Sequence, residues 1–202
     1  MKHEQPNAQV AELLMQSLAH EKGGVRVYEN AVQCAINDDL KEEWQKYLEE
    51  TRHHVEVLTD VCTKLGVDPN MESPGVKIVK HLGEALVQAM QMAKAGGKPE
   101  AAQIVACECV VIAETKDHLD WELIGKCGEK LLKGESAKIL KEACEEIEDQ
   151  EDEHLYHTKG WCRELWIESL GMKAILPPPE EEKHVTTAIG AARAEQSAET
   201  KR

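Results

Sequence analysis

The sequence contains no phenylalanine, and four Trp and three Tyr are its only large aromatics. A core built from it must rely on Leu, Val, Ile, Ala, Met and Cys. No apolar run approaches the roughly 20 residues that a membrane-spanning helix needs. No Cys-x-x-Cys pair occurs, which excludes a rubredoxin-type or zinc-ribbon module. No segment alternates with period two, so no sheet is expected. The polar stretch Met1 to Asn7 lacks the apolar block of a signal peptide. Positive charge is also scarce: 24 Lys and Arg stand against 38 Asp and Glu, for a net charge of −14. Such a surface repels phosphate backbones and anionic bilayers, so neither nucleic acid nor membrane is an expected partner. The seven Cys are scattered singly, Cys107 and Cys109 being the closest pair. Free thiols of this kind suit a reducing compartment, and the cytoplasm is the expected location.

What is present is helical. Gly and Pro cut the 202 residues into long segments with apolar stripes at alternating steps of four and three. A first helix, capped by Asn7, is predicted to about Ile36, with Leu14, Leu18, Glu21, Val25, Tyr28 and Val32 on its stripe. The second runs from about Leu40 to Leu65 through Trp44, Tyr47, Glu50, either His53 or His54, Val57 and Val61. Ser73-Pro74 opens a middle helix to about Ala95. A third long helix follows Pro99 and carries Cys107, Val111, Glu114, His118 and Trp121. The fourth spans about Ser136 to Leu170, with Ile147, Glu151, His154, Thr158 and Trp161 in line. The expectation is an all-α fold: a four-helix bundle over residues 1–176, with one long crossover that carries an extra helix at about 74–95. Residues 177–202, polar after a triple proline, are expected to be a disordered tail.

Charges belong on the outer face of an amphipathic helix. Here each long helix places one Glu on its apolar stripe, where a carboxylate must be paired, protonated or metal-bound. Glu50 to His53 and Glu151 to His154 repeat a Glu-x-x-His spacing that points both side chains the same way. The spacing alone is weak: 30 Glu and nine His give about 1.3 matches by chance. Glu181 to His184 is one of those, out in the tail. Placement gives the other two their weight, because both lie mid-helix on an apolar stripe. Several choices stay open. His54 fits the strict stripe as His53 fits the motif, and Glu108 and Glu122 compete with Glu114. A plain bundle with these residues at its surface is the competing reading. Tyr28 and His157 stand one or two turns from the candidate ligands and could support them by hydrogen bonds.

A single Glu on helices one and three, with Glu-x-x-His on helices two and four, resembles the ferritin-like di-iron carboxylate family over about residues 8–170. The stretch Tyr47-Leu48-Glu49-Glu50-Thr51-Arg52-His53-His54-Val55-Glu56-Val57-Leu58 is similar to rubrerythrin and ferritin-like stress proteins. The resemblance implies Glu21 and Glu114 as single-Glu ligands, Glu50 and Glu151 as metal-bridging acids, and His53 and His154 as nitrogen ligands. It implies two iron ions as cofactor, with manganese as the alternative. It implies an oxidoreductase that reacts with hydrogen peroxide or dioxygen and draws electrons from a separate donor, or an iron-oxidising storage or detoxification protein. The middle helix would lie along the bundle or pack in a homodimer, where a cage would need bare surface.

Overall fold

A computed structural model describes residues 6–200; Met1 to Gln5, part of the polar start, and Lys201 and Arg202 lie outside the described residues. Five long helices make up the body: α1 (Ala8–Cys34), α2 (Asp38–Lys64), α3 (Pro74–Ala95), α4 (Pro99–Lys130) and α5 (Gly134–Ser169). Among the described residues there is no strand, as expected. Helix starts follow side-chain chemistry. The Asn7 side chain accepts from the Gln9 and Val10 amides, Asn37 from Leu40 and Ser73 from Val76, each satisfying amides that a helix start leaves open.

Three-residue loops join α1 to α2 and α4 to α5, so each pair is an antiparallel hairpin. Side-chain pairs place the helices relative to one another. Glu29 meets Arg52 across α1 and α2, His118 meets Asp152 across α4 and α5, and Lys46 meets Glu153 across α2 and α5. Helix α3 runs alongside α1 in the same direction, with Ser73 bonded to Glu12, Arg26 to Glu84 and Lys94 to Gln33. It thereby carries the chain back along the bundle, so that α4 enters parallel to α2. The second hairpin is the longer one, at 32 and 36 residues against 27 and 27.

The core is split in two. One apolar cluster, including Leu14, Leu18, Leu58, Leu65, Ile124 and Leu140, fills the end where α1 begins. The other, including Tyr28, Leu40, Trp44, Tyr47, Val110 and Trp161, fills the opposite end. Between them lies a buried polar layer containing Glu21, His54, Glu114, Asp117, Glu151 and His154. Beside this layer α1 and α2 approach closely at Gly24, where a Cβ would stand 3.3 Å from Thr51 Cγ2.

The segment expected as a disordered tail folds back instead. It forms a short turn of helix, α6 (Pro179–Glu182), and then α7 (Ala188–Glu199). Two specific contacts overcome its polar composition. Glu180, 1% exposed, accepts from Arg163 at 2.7 and 2.9 Å. Trp161 Nε1 donates both to Glu43, at 2.8 Å, and to Glu181. Burial first, and then the neighbouring Glu43, raise Glu181 to about 8, so it can share a proton with Glu43 near neutrality. Gly160 makes room for this docking: a Cβ there would lie 2.7 Å from Glu180 Oε2 and 2.9 Å from Pro178 Cβ. Gly160→Ala should therefore displace α6 at a cost of about 1–3 kcal/mol. Limited proteolysis should then cut after residue 176 in the variant well before the wild type; equal protection would show that the tail is not held at this point.

Candidate metal centre

Eight sequence-chosen residues can now be placed. Glu21, Glu114, Glu151 and His154 are all buried in the central layer, at 0–3% exposure. Glu108 and Glu122, the competitors of Glu114, face outward: Glu108 accepts from Trp166 Nε1, and Glu122 binds Lys126. His53 does not enter the layer. Its side chain is 47% exposed and pairs with Glu146 at 2.7 Å. His54 takes the interior place, with its side chain fully buried. The reason is the stripe of α2, which runs Leu40, Trp44, Tyr47, Thr51, His54, Leu58 and Val61 at steps of four and three. Residue 53 falls about 100° off that line. The helix pattern, not the Glu-x-x-His spacing, decides which histidine points inward.

Two triads result: Glu21, His54 and Glu151 form one, and Glu114, Glu151 and His154 the other. In each, the candidate ligand atoms lie within 4.8 Å of one another. Glu151 belongs to both. His54 Nδ1 stands 2.8 Å from Glu151 Oε1 and 3.6 Å from Glu21 Oε1. His154 Nδ1 stands 3.5 Å from Glu114 Oε2 and 3.9 Å from Glu151 Oε1. The two imidazoles are stacked, with centroids 5.6 Å apart.

Each histidine is held by its outer nitrogen. His54 Nε2 is hydrogen-bonded to Gln150 at 2.8 Å, and His154 Nε2 to Glu50 at 3.0 Å. A ring whose Nε2–H is committed in this way turns the Nδ1 lone pair toward the triad. Glu50 thus stands at the rim, with its side chain 19% exposed, and orients His154 rather than bridging the triads. Glu21 is fixed similarly, accepting from Trp121 Nε1 at 2.8 Å.

The remaining inward atoms lack hydrogen bonds. Glu21 Oε2, Glu114 Oε2, both Glu151 oxygens and Nδ1 of both histidines are buried without a hydrogen-bond partner, the short contacts among them being misaligned. One such atom typically costs about 1–3 kcal/mol. Divided between two triads that share Glu151, these six atoms fit groups that accept electron pairs from them, and the donor set of carboxylate oxygen and imidazole nitrogen suits a divalent metal.

Protons otherwise balance these charges. Burial disfavours a charged His54, but Glu151 and Glu21 outweigh it and raise the pKa to about 11. Burial likewise works against His154, and Glu114 and Glu50 raise it to about 9. Glu151 is lifted to about 7 by burial, and by Glu114 and Glu21 against the pull of His54.

Asp117 was not anticipated from the sequence. It lies one turn after Glu114 on α4, and burial followed by the charges of Glu151, Glu21 and Glu114 raises it well above the carboxylate range. The periodicity of α4 placed His118 on the stripe, but His118 is at the edge, 3.1 Å from Asp152. Tyr28 is fully buried, edge-on to His154 at 5.9 Å. Its ionisation is pushed far up by burial and then by Glu114. His157 touches neither triad; its Nδ1 is 2.8 Å from Glu43 and 2.9 Å from the Tyr47 hydroxyl. Tyr47 also donates to Glu43 and lays its ring 4.1 Å from that of His154.

No protein-family model, curated protein or solved structure matches the chain.

Two outcomes follow from this geometry. His54→Ala should lower metal affinity by at least the roughly 10–100-fold typical of losing an outer-shell partner, whereas His53→Ala should leave it nearly unchanged; calorimetric titration of both variants reads the ranking, and a larger loss for His53→Ala would mean that α2 is rotated. Metal binding should also release protons. At pH 7 His54 and His154 each carry a proton on a nitrogen that a ligand must leave bare, because about 11 and about 9 lie above 7. About two protons should come from the histidines, with a fraction more from Glu151, and binding should tighten as pH rises. Titration in buffers of different ionisation enthalpy measures that number; zero release would remove both histidines from the ligand set.

Proposed function

We propose that this chain is a ferritin-like, rubrerythrin-like di-metal oxidoreductase whose reduced centre, two iron ions, reacts with hydrogen peroxide or dioxygen. The observation that carries the reading is Glu151, a buried carboxylate shared by two triads that each contribute one further Glu and one inward Nδ1. One carboxylate common to two such sets is what a dinuclear site needs, and Glu21, Glu114 and Glu151 supply its carboxylates while Glu50 holds His154 from the rim. Manganese shares this donor preference.

The bound pair would supply two electrons to the O–O bond, so that H2O2, two protons and two electrons become two waters. The protein's own residues do the rest. The two apolar clusters above and below the layer shield it from bulk water on those two sides. Asp117, whose ionisation burial and the neighbouring acids push well up, lies beside the triads within the layer. Glu50 and Gln150 hold the histidines in the tautomer that binds. With no Cys-x-x-Cys module in the sequence, electrons come from a separate donor. Anaerobically reduced, iron-loaded protein mixed with peroxide should consume about one peroxide per metal pair and then stall until re-reduced. Stopped-flow absorbance measures this, and a rate no faster than that of free ferrous ion would refute it.

An iron-oxidising storage or detoxification role would use the same triads. It asks in addition for a route by which metal reaches them repeatedly, and for a shell to hold the product. Helix α3 argues against a shell, since it covers the α1–α4 face of the bundle.

A further inference from the structure

A groove on the surface reaches the buried layer. It lies between the C-terminal half of α4 and the N-terminal half of α5 and has a volume of about 450 Å³. Its inner end is Glu151 itself, with Trp121 as a wall. Trp121 is the residue that holds Glu21 in place.

The α5 side of the groove is a ladder. Glu145, Glu148 and Glu151 follow at three-residue spacing, so they share one face and climb about 4.5 Å per step. The outer two are exposed and the third is buried in both triads. Glu145 and Glu148 form no ion pair among the described residues. Carboxylates outnumber lysines along the lining, and Lys126 is already engaged by Glu122. On the α4 side Gly125 lines the groove opposite Cys144, and a Cβ there would stand in ordinary van der Waals contact with Cys144 Sγ at 3.5 Å. At the inner end Glu151 Oε2 is buried, unpartnered and part of the groove wall.

We propose that this groove is the path by which a divalent cation reaches the centre, with Glu145 and Glu148 as successive transient ligands that hand the ion to Glu151. A concave, acid-lined passage with low-dielectric walls concentrates cations and raises their association rate. Exposed carboxylates bind weakly enough to release, while the triads at the end offer additional donors and hold the ion. The proposal rests on the reading of the triads as a metal centre, and it makes the groove a specific site for divalent cations rather than for neutral peroxide.

Association and equilibrium separate the two readings. Co2+ is the probe, followed by its visible absorbance in stopped flow with the full chain. Glu145→Gln/Glu148→Gln should load about 10-fold more slowly than wild type, with weaker dependence on salt and an unchanged final stoichiometry. A control pair with the same loss of charge, Glu168→Gln/Glu195→Gln, should load at the wild-type rate. Gly125→Leu, which improves helix propensity while filling the groove, should also slow loading without lowering stoichiometry. Wild-type loading rates in both groove variants, or equal slowing in the control, would overturn the path while leaving the centre standing. A wild-type chain that takes up no Co2+ would overturn the centre and the path together.

Discussion

The constraint on which this structure depends is the cost of placing carboxylates where water does not reach. Glu21, Glu114, Asp117 and Glu151 sit in one layer of the bundle, all nearly inaccessible. Isolated charges there would be prohibitive, so the layer exists only with counter-charges beside it. Two histidines supply them, and the neighbouring acids raise the pKa of both. The same need explains why the apolar core is divided: each hydrophobic cluster stops where the acids begin. The two plugs bury the apolar side chains, and the layer between them holds the acids and histidines that could bind a metal ion.

Around the layer, a ring of hydrogen-bond partners fixes the orientation of its acids and histidines. Trp121 holds Glu21, Gln150 holds His54, and Glu50 holds His154. Farther out, the Tyr47, His157 and Glu43 group links the layer to Trp161 and to the returning tail. The tail is therefore joined through a short series of hydrogen bonds to the end of the bundle nearest His154, and is not an appendage.

Much of this was legible in the sequence for one reason: an acid on an apolar stripe is a conflict that must be resolved inside. Glu21, Glu151 and His154 stood out on that basis, and the hairpins and crossover helix followed from Gly, Pro and cap residues. Three features were hidden. His53 and His54 are neighbours, and a short motif pointed to one while the longer stripe pointed to the other. Asp117 escaped because α4 packs against α1, α3 and α5, which blurs any single face. The tail escaped because its composition is polar throughout. What docks it is a two-bond clasp between Glu180 and Arg163, together with a glycine opposite. Such pairwise geometry has no signature in composition.

The inward-facing Nδ1 atoms carry a mechanical consequence. Nδ1 is the near nitrogen of an imidazole, one bond from the ring carbon that joins the side chain, whereas Nε2 is at the far corner. An ion held through Nδ1 would therefore be mounted on short levers, close to the helix backbones, with little side-chain slack to absorb a shift. The tight approach of α1 and α2 at Gly24 belongs to the same compact mounting. Small slides of one helix along another would reach the two Nδ1 atoms and the carboxylates they face almost undiminished, so that helix alignment and triad geometry are a single mechanical variable.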